Sequence, residues 1–390
     1  MTTPAIATTF LPFHRALIGP EEIDAVVEAL NSGWLTKGPR VVEFENAFAR
    51  YVGASHAVAV SSCTAALHLA LAAIGLKEGD EVILPTMTFA ASGEVVLYFK
   101  ARPVLVDCAS ETMQIDPDAI EAAITPKTRA IMPVHYGGAP CDMARILEIA
   151  RRRNLRVVED AAHALPTEYQ GQRIGTIGDI TCFSFYATKT LTTGEGGMLT
   201  TENAQYAERA RILSLHGISK DAWKRYSAEG SWRYDIIDAG YKYNLTDLQA
   251  ALGLVQLAKC DAMRDRRAQI ARQYDEGIRA MRAFVPPPFL EAGHAWHLYP
   301  LEVNPEALRI DRDYVIDELK RNGIGTSVHF IPLHLHSLYR DKLGYRLGEF
   351  PAAEKHWQRT LSLPIYPSMS DGDVGRVLDA LHDIEVTFSR

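Results

Sequence analysis

The sequence predicts an α/β protein on a mainly parallel sheet, with a smaller α+β unit after it. Three observations carry that prediction. Seven short apolar runs read as strands: residues 56–61, 81–85, 104–108, 130–134, 157–160, 180–186 and 198–201. They are continuous Val/Ile/Leu-type runs, as expected of strands buried on both faces. Helical patterns lie between some of them, and the pattern changes near Asn244.

In chain order, the first strand run ends in Ser61 and leads into a buried helix at 64–74, closed by Gly75. An amphipathic helix at 143–153 precedes Asn154 and the 157–160 run. Residues 245–257 form a long helical run, with Thr246 and Gln249 at capping-box spacing. A charged helix at 264–282 and Pro286-Pro287-Pro288 follow. The remainder reads strand 297–303, helix 312–322, strand 326–330. The expected division is a large domain over 1–255 and a small C-terminal domain over 256–390.

The 390 residues are 47% hydrophobic and 23% charged, which excludes a disordered chain, a collagen and a coiled-coil rod. A net charge of −7 argues against nucleic acid as a partner. The five cysteines are odd in number, widely spaced and lack CxxC, so a reducing compartment is expected, with no structural zinc. No run approaches the roughly 18 apolar residues of a membrane span, and the start lacks signal-peptide features. The expectation is a cytoplasmic protein with no membrane partner.

Chemistry concentrates where parallel strands end, which is where ligands bind in such sheets. Lys189 follows the 180–186 strand and precedes Gly194-Glu195-Gly196-Gly197. It is either a solvated loop lysine or a nucleophile able to form a Schiff base with a carbonyl. Asp160 ends its strand, where a carboxylate suits a protonated ring nitrogen, a ribose, a metal or a helix cap. His163 lies three residues on, sharing a face with Asp160 if a helix starts there. Ser61-Ser62-Cys63-Thr64 joins strand to helix, so its N–H groups suit a phosphate, or Ser62 or Thr64 is a plain cap. Phe89 follows the second strand and either stacks on a planar ring or fills core. His329, His334 and His336 cluster, but without HExxH and among prolines and leucines they read as a pocket loop, and no metal is expected. Neither Walker A nor GxGxxG occurs, which removes the nicotinamide-dehydrogenase reading.

Together these stretches resemble the DegT/StrS-type sugar aminotransferases. The matching segments are Ser32-Gly33-Trp34-Leu35-Thr36 with Gly38-Pro39, Ser62-Cys63-Thr64-Ala65-Ala66-Leu67 and Glu159-Asp160-Ala161-Ala162-His163-Ala164. Phe183-Ser184-Phe185 leading to Lys189, the 194–197 turn, Gly240-Tyr241-Lys242-Tyr243-Asn244-Leu245-Thr246-Asp247 and Gly325-Thr326-Ser327-Val328-His329 continue the match. Each is weak alone, but their order along nearly the whole chain is specific.

The resemblance implies an aspartate-aminotransferase-like fold with a seven-stranded, mainly parallel sheet, and pyridoxal 5′-phosphate as cofactor. It implies that Lys189 holds the cofactor as a Schiff base and moves the proton, and that Asp160 pairs with the ring nitrogen. It places Ser184 and the N–H groups of Cys63 and Thr64 on the phosphate, Phe89 on the ring and His163 near the 3-hydroxyl. It implies a homodimer with shared active sites, in which Asn244 reaches the neighbouring subunit's phosphate. The implied substrate is a nucleotide-linked keto-sugar, a 4-keto-6-deoxy sugar, and the implied donor is L-glutamate. His329 would face the sugar, and Lys224, Arg225, Trp232 and Arg233 would meet the diphosphate and sugar near the entrance, unless they form an exposed charged loop. Two departures stand out: Cys63 where the family often has Gly, and Leu245 where it often has Arg or Met. Relatives with His in place of the lysine catalyse dehydration, so Lys189 argues for transamination. The alternatives are a keto-inositol aminotransferase and a non-catalytic regulatory protein that binds the cofactor.

Overall fold

The computed structural model describes residues 10–219, 234–288 and 293–390. Seven strands form the large sheet: β1 His56–Val60, β2 Glu81–Pro85, β3 Arg102–Val106, β4 Thr128–Ile131, β5 Arg156–Asp160, β6 Ile180–Ser184 and β7 Gly197–Thr201. Their spatial order is β1-β7-β6-β5-β4-β2-β3. Only β7 runs antiparallel to its neighbours, and the other pairs are parallel.

Side-chain alternation explains why both faces are apolar. Val58, Val60, Val82, Leu84, Val158 and Cys182 point into one core, against the helix Cys63–Ala73. Ala57, Ala59, Phe183 and Met198 point the other way, against the helices Pro39–Val52 and Asp247–Ala258. Ile83, Ile131 and Val157 share that second side with the helix Met143–Arg153.

The predicted capping box forms. The Thr246 hydroxyl accepts from Gln249 N–H at 3.3 Å, and Gln249 Oε1 accepts from Thr246 N–H at 3.1 Å. The Asp247 carboxylate then caps a second helix, accepting from Gly38 N–H at 2.8 Å and Val41 N–H at 3.0 Å. Gly38 has no side chain to do this, so the segment after Asn244 fixes the start of the Pro39–Val52 helix.

The second sheet has three antiparallel strands: β8 Phe284–Val285, β9 Tyr299–Val303 and β10 Thr360–Leu363. The helices Cys260–Ile278, Arg312–Arg321 and Asp371–Phe388 close its core. The expected strand at 326–330 is not present, since Ser327 makes a single bridge to Ser362. Beyond that bridge the segment turns to other partners, and the His329 carbonyl accepts from the Tyr136 hydroxyl at 2.5 Å. Packing crosses residue 255 in both directions. Leu333, Tyr339 and Phe350 join the large-sheet core, and Leu11 joins the small one. Among the described residues no helix is long and apolar enough to cross a membrane.

Candidate active site

The carboxyl ends of β1, β5 and β6 open onto one cavity of about 590 Å³. Of the sequence-predicted site residues, Cys63, Thr64, Phe89 and Asp160 line it, with His163, Ser184, Lys189 and His329. Asn244 does not line it: its side chain bonds Lys242 and the Leu245 carbonyl, and its backbone bridges Val60. Lys224 and Arg225 lie outside the described residues.

Lys189 sits just after β6, its backbone N–H closing a turn on Tyr186 O at 2.9 Å. Burial pushes its ammonium down to about 8, against the opposing pull of Cys63 and Asp160. An amine lowered in this way gives up its proton more readily, which favours its use as a nucleophile.

Asp160 ends β5 almost fully buried. Its Oδ2 accepts from the Ser92 hydroxyl at 2.7 Å, and Oδ1 accepts from Ala162 N–H at 3.1 Å. Ser92 is itself buried and lies 2.8 Å from the Thr88 hydroxyl, so Thr88 donates while Ser92 gives its proton to Asp160. Burial raises the Asp160 carboxyl, although Ser92 and Ala162 N–H favour the ionised form. A buried carboxylate in this state is stabilised by a cationic donor beside it.

A glycine turn assembles the histidines. Gly138 has φ +100°, and a Cβ there would lie 3.0 Å from His163 O and 3.2 Å from His297 N. The turn's Gly137 N–H donates to His163 Nδ1 at 3.2 Å, and its carbonyl accepts from Leu298 N–H at 3.1 Å. His163 and His297 therefore meet, ring centroids 4.4 Å apart. With Nδ1 an acceptor, neutral His163 carries its proton on Nε2. Burial, then Lys189 and His329, push His163 well below its usual range, so it is neutral at physiological pH. Burial likewise lowers His329 to about 4, and its Nδ1 lies 2.9 Å from the Ser362 hydroxyl.

These residues fit pyridoxal phosphate on their own geometry. The helix Cys63–Ala73 starts at the cavity, and its first N–H groups have no intrahelical partner. The Ser62 hydroxyl caps Ala65 N–H at 3.1 Å, which leaves the N–H groups of Cys63 and Thr64. A Cβ at Gly197 would come within 2.7 Å of the Cys63 nitrogen, so glycine there lets β7 pass close behind this anion cradle. Ser184 flanks the cavity, and its Oγ accepts from Tyr186 N–H at 3.4 Å. Phe89 is 63% exposed, with a ring face open to stacking. Asp160 supplies an acceptor for a ring N–H, and Lys189 supplies the amine.

Several lining residues carry no readable sequence signal: Phe13, His14, His297, Phe330 and Ile365. Phe330 stacks near His163 at 5.8 Å, and Phe13 stacks on His329 at 5.5 Å. Among the described residues, no three or more His, Cys, Asp or Glu gather as metal ligands. His334 points away from the others, 2.8 Å from the Thr86 hydroxyl and 3.0 Å from Glu354.

Residues 16–382 match the DegT/DnrJ/EryC1/StrS aminotransferase family. The chain is 52% identical over 377 residues to the spore coat polysaccharide biosynthesis protein SpsC of Bacillus subtilis, covering 96% of this chain and 97% of SpsC. Among solved structures it is similar to Spr1654 of Streptococcus pneumoniae in its PLP form, with 35% identity, TM-score 0.90, and 97% and 99% of the two chains covered. It is also similar to S. venezuelae DesV in complex with a ketimine intermediate, with 35% identity, TM-score 0.85 and 94% of each chain covered. The chain belongs to the DegT/DnrJ/EryC1/StrS aminotransferase family and is a pyridoxal-phosphate-dependent sugar aminotransferase.

Proposed function

We propose that the chain transfers an amino group from L-glutamate to a nucleotide-linked keto-sugar, a 4-keto-6-deoxy sugar, as a cytoplasmic homodimer with shared active sites. The observation that carries the reading is one cavity holding Lys189, with its amine lowered to about 8, and buried Asp160. Lys189 would hold the cofactor through Nζ and would serve as the base that moves the proton. Asp160 keeps the ring nitrogen protonated. The cofactor, when bound, supplies the electron sink for the carbanion. Ser184 and the N–H groups of Cys63 and Thr64 would hold its phosphate, Phe89 would cover its ring, and His163 would offer its Nε2–H to the 3-hydroxyl.

Two facts support the substrate and assembly. SpsC is named for polysaccharide biosynthesis, which consumes activated sugars. On the helix Pro20–Asn31, Ile23, Val27 and Leu30 are 57%, 46% and 51% exposed along one stripe, an apolar face suited to a second subunit. On this reading Asn244, whose amide bonds Lys242 and the Leu245 carbonyl in its own chain, would reach the neighbouring cofactor's phosphate. His329 and, outside the described residues, Lys224 and Arg225 would meet the sugar and its diphosphate.

The test is a panel. Protein loaded with amine by L-glutamate is mixed with nucleotide-linked 4-keto and 3-keto sugars and a free keto-inositol, and products are read by mass. Amination of a nucleotide-linked 4-keto sugar is expected. Amination of the keto-inositol alone would replace this reading.

Ser92 gives a second test. Ser92→Ala removes the 2.7 Å bond to Asp160 and should slow the glutamate half-reaction about tenfold or more, as expected for a hydrogen bond to a charged group. Cofactor content should not change. Ser92→Thr, which keeps the hydroxyl, should restore most of the rate. Equal rates in Ser92→Ala and wild type would remove Ser92 from the account.

A further inference from the structure

The segment from Leu11 to Leu17 runs along the cavity as a strap tied at both ends. At one end Leu11 N–H donates to Gly323 O at 2.8 Å, and the Leu11 carbonyl accepts from Gly325 N–H at 2.8 Å. At the other, the Leu17 carbonyl accepts from Gln256 Nε2 at 2.9 Å, on the helix Asp247–Ala258. Between the ties, Phe13 and His14 line the cavity that contains Lys189.

His14 carries one proton and has one place to put it. Burial and then the Arg267 charge push it down to about 4, so the ring is neutral at physiological pH. Its Nε2 is closed to solvent and has no hydrogen-bond partner among the described residues. The ring's hydrogen bond goes to the Ala187 carbonyl, so the donor is Nδ1–H. Tyr366 packs edge-on against the same ring, with centroids 5.9 Å apart.

Ala187 lies two residues before Lys189, in the turn that follows β6. Lys189 N–H closes that turn on Tyr186 O at 2.9 Å. Among the described residues no backbone N–H bonds the Ala187 carbonyl, so the side chain of His14 is what satisfies it. The peptide just ahead of the lysine is therefore held by a residue of a distant strap. A tie there returns the amine to one place whenever it is released, where an untied peptide would let the turn rotate.

We propose that His14 is a positioning residue for Lys189: by holding the Ala187 carbonyl it keeps the amine aimed at the cofactor's aldehyde carbon. The proposal rests on the reading of Lys189 as the cofactor's anchor, and adds the contact that aims it. The covalent step itself is unchanged. The Lys189 nitrogen bonds the aldehyde carbon, and the aldehyde oxygen leaves as water with the amine's two protons.

The test mixes apoprotein with pyridoxal phosphate in a stopped-flow cell. Quenching of protein fluorescence reports arrival of the cofactor, and growth of the visible band reports closure by Lys189. His14→Asn puts an amide N–H where Nδ1–H stands, His14→Gln puts it near Nε2 instead, and His14→Leu removes it. The Gln and Leu variants are expected to slow the absorbance phase about tenfold, with the Asn variant within about threefold of wild type. The fluorescence phase should be alike in all four proteins. Equal absorbance rates in the Asn and Gln variants would overturn the proposal: equally fast, the bond does nothing, and equally slow, His14 acts by packing alone. This pair decides the matter even if His14→Leu does not fold. If wild-type protein forms no visible band that Lys189→Ala lacks, the anchor reading itself falls and takes this proposal with it. A band that depends on Lys189 but forms at one rate in every His14 variant would remove His14 alone.

Discussion

Lys189→Ala is expected to lower the glutamate half-reaction by about 1,000-fold or more, since it removes both the covalent anchor and the proton-transfer base. The protein should still fold. Removing a half-buried ammonium from a cavity wall leaves the sheet's two-sided core untouched, because Lys189 belongs to none of the apolar clusters. Added pyridoxal phosphate should still bind through the helix N-terminus and Ser184, but the visible absorbance of the lysine-linked form should be absent. Lys189→Arg should behave alike, because a guanidinium stays protonated. The amine's position near 8 adds a pH signature. Lysine attacks only when deprotonated, so cofactor uptake by the apoprotein should rise with pH and level off above about 8. Wild-type turnover in purified Lys189→Ala, or uptake independent of pH from 6 to 9, would contradict this role.

Asp160→Asn should give the second largest effect, roughly 100- to 1,000-fold in the half-reaction, comparable to losing one preorganised electrostatic group. Asparagine is isosteric: its Oδ1 can keep the bond from Ala162 N–H, and its amide N–H can donate to the Ser92 hydroxyl, which then turns its own proton to Thr88. The cofactor should therefore remain bound, and the deficit should appear in the rate rather than in occupancy. What is lost is negative charge facing the ring nitrogen. The carboxyl, raised by burial, gains most from a cationic neighbour, so the ionised pair should form only with cofactor present. Turnover near wild type in cofactor-loaded Asp160→Asn would remove Asp160 from its proposed place.

The sheet was legible because its strands are buried on both faces and so read as unbroken apolar runs. Boundaries slipped where proline intervened. The run expected at 104–108 pairs as Arg102–Val106, because Pro103 is tolerated on β3, an edge strand. The run expected at 130–134 is a regular strand only to Ile131; Pro133 has no N–H to give, its carbonyl accepts from Asp160 N–H, and pairing resumes as a single bridge from Val134 to Asp160. The helices Pro20–Asn31 and Pro39–Val52 were not read at all, although each starts with proline at its first position and the second buries Val41, Phe44, Phe48 and Val52 at helical spacing.

The site divides the same way. Lys189, Asp160, Ser184 and the Cys63–Thr64 start are sequence-legible because each follows a strand end, a position the local pattern marks. His14 and His297 are not. Their place depends on a glycine turn and on chain crossings between the two sheets, and no local spacing in the sequence reports those contacts. The 326–330 segment misled for a related reason, since its alternating residues serve a cavity wall instead of a ladder.

The most direct test of the account is borohydride reduction of the holoprotein followed by peptide mass mapping. The account predicts one cofactor-modified site, at Lys189, which disappears after treatment with L-glutamate before reduction. Modification at any other lysine, or modification of Lys189 that L-glutamate leaves unchanged, would contradict it.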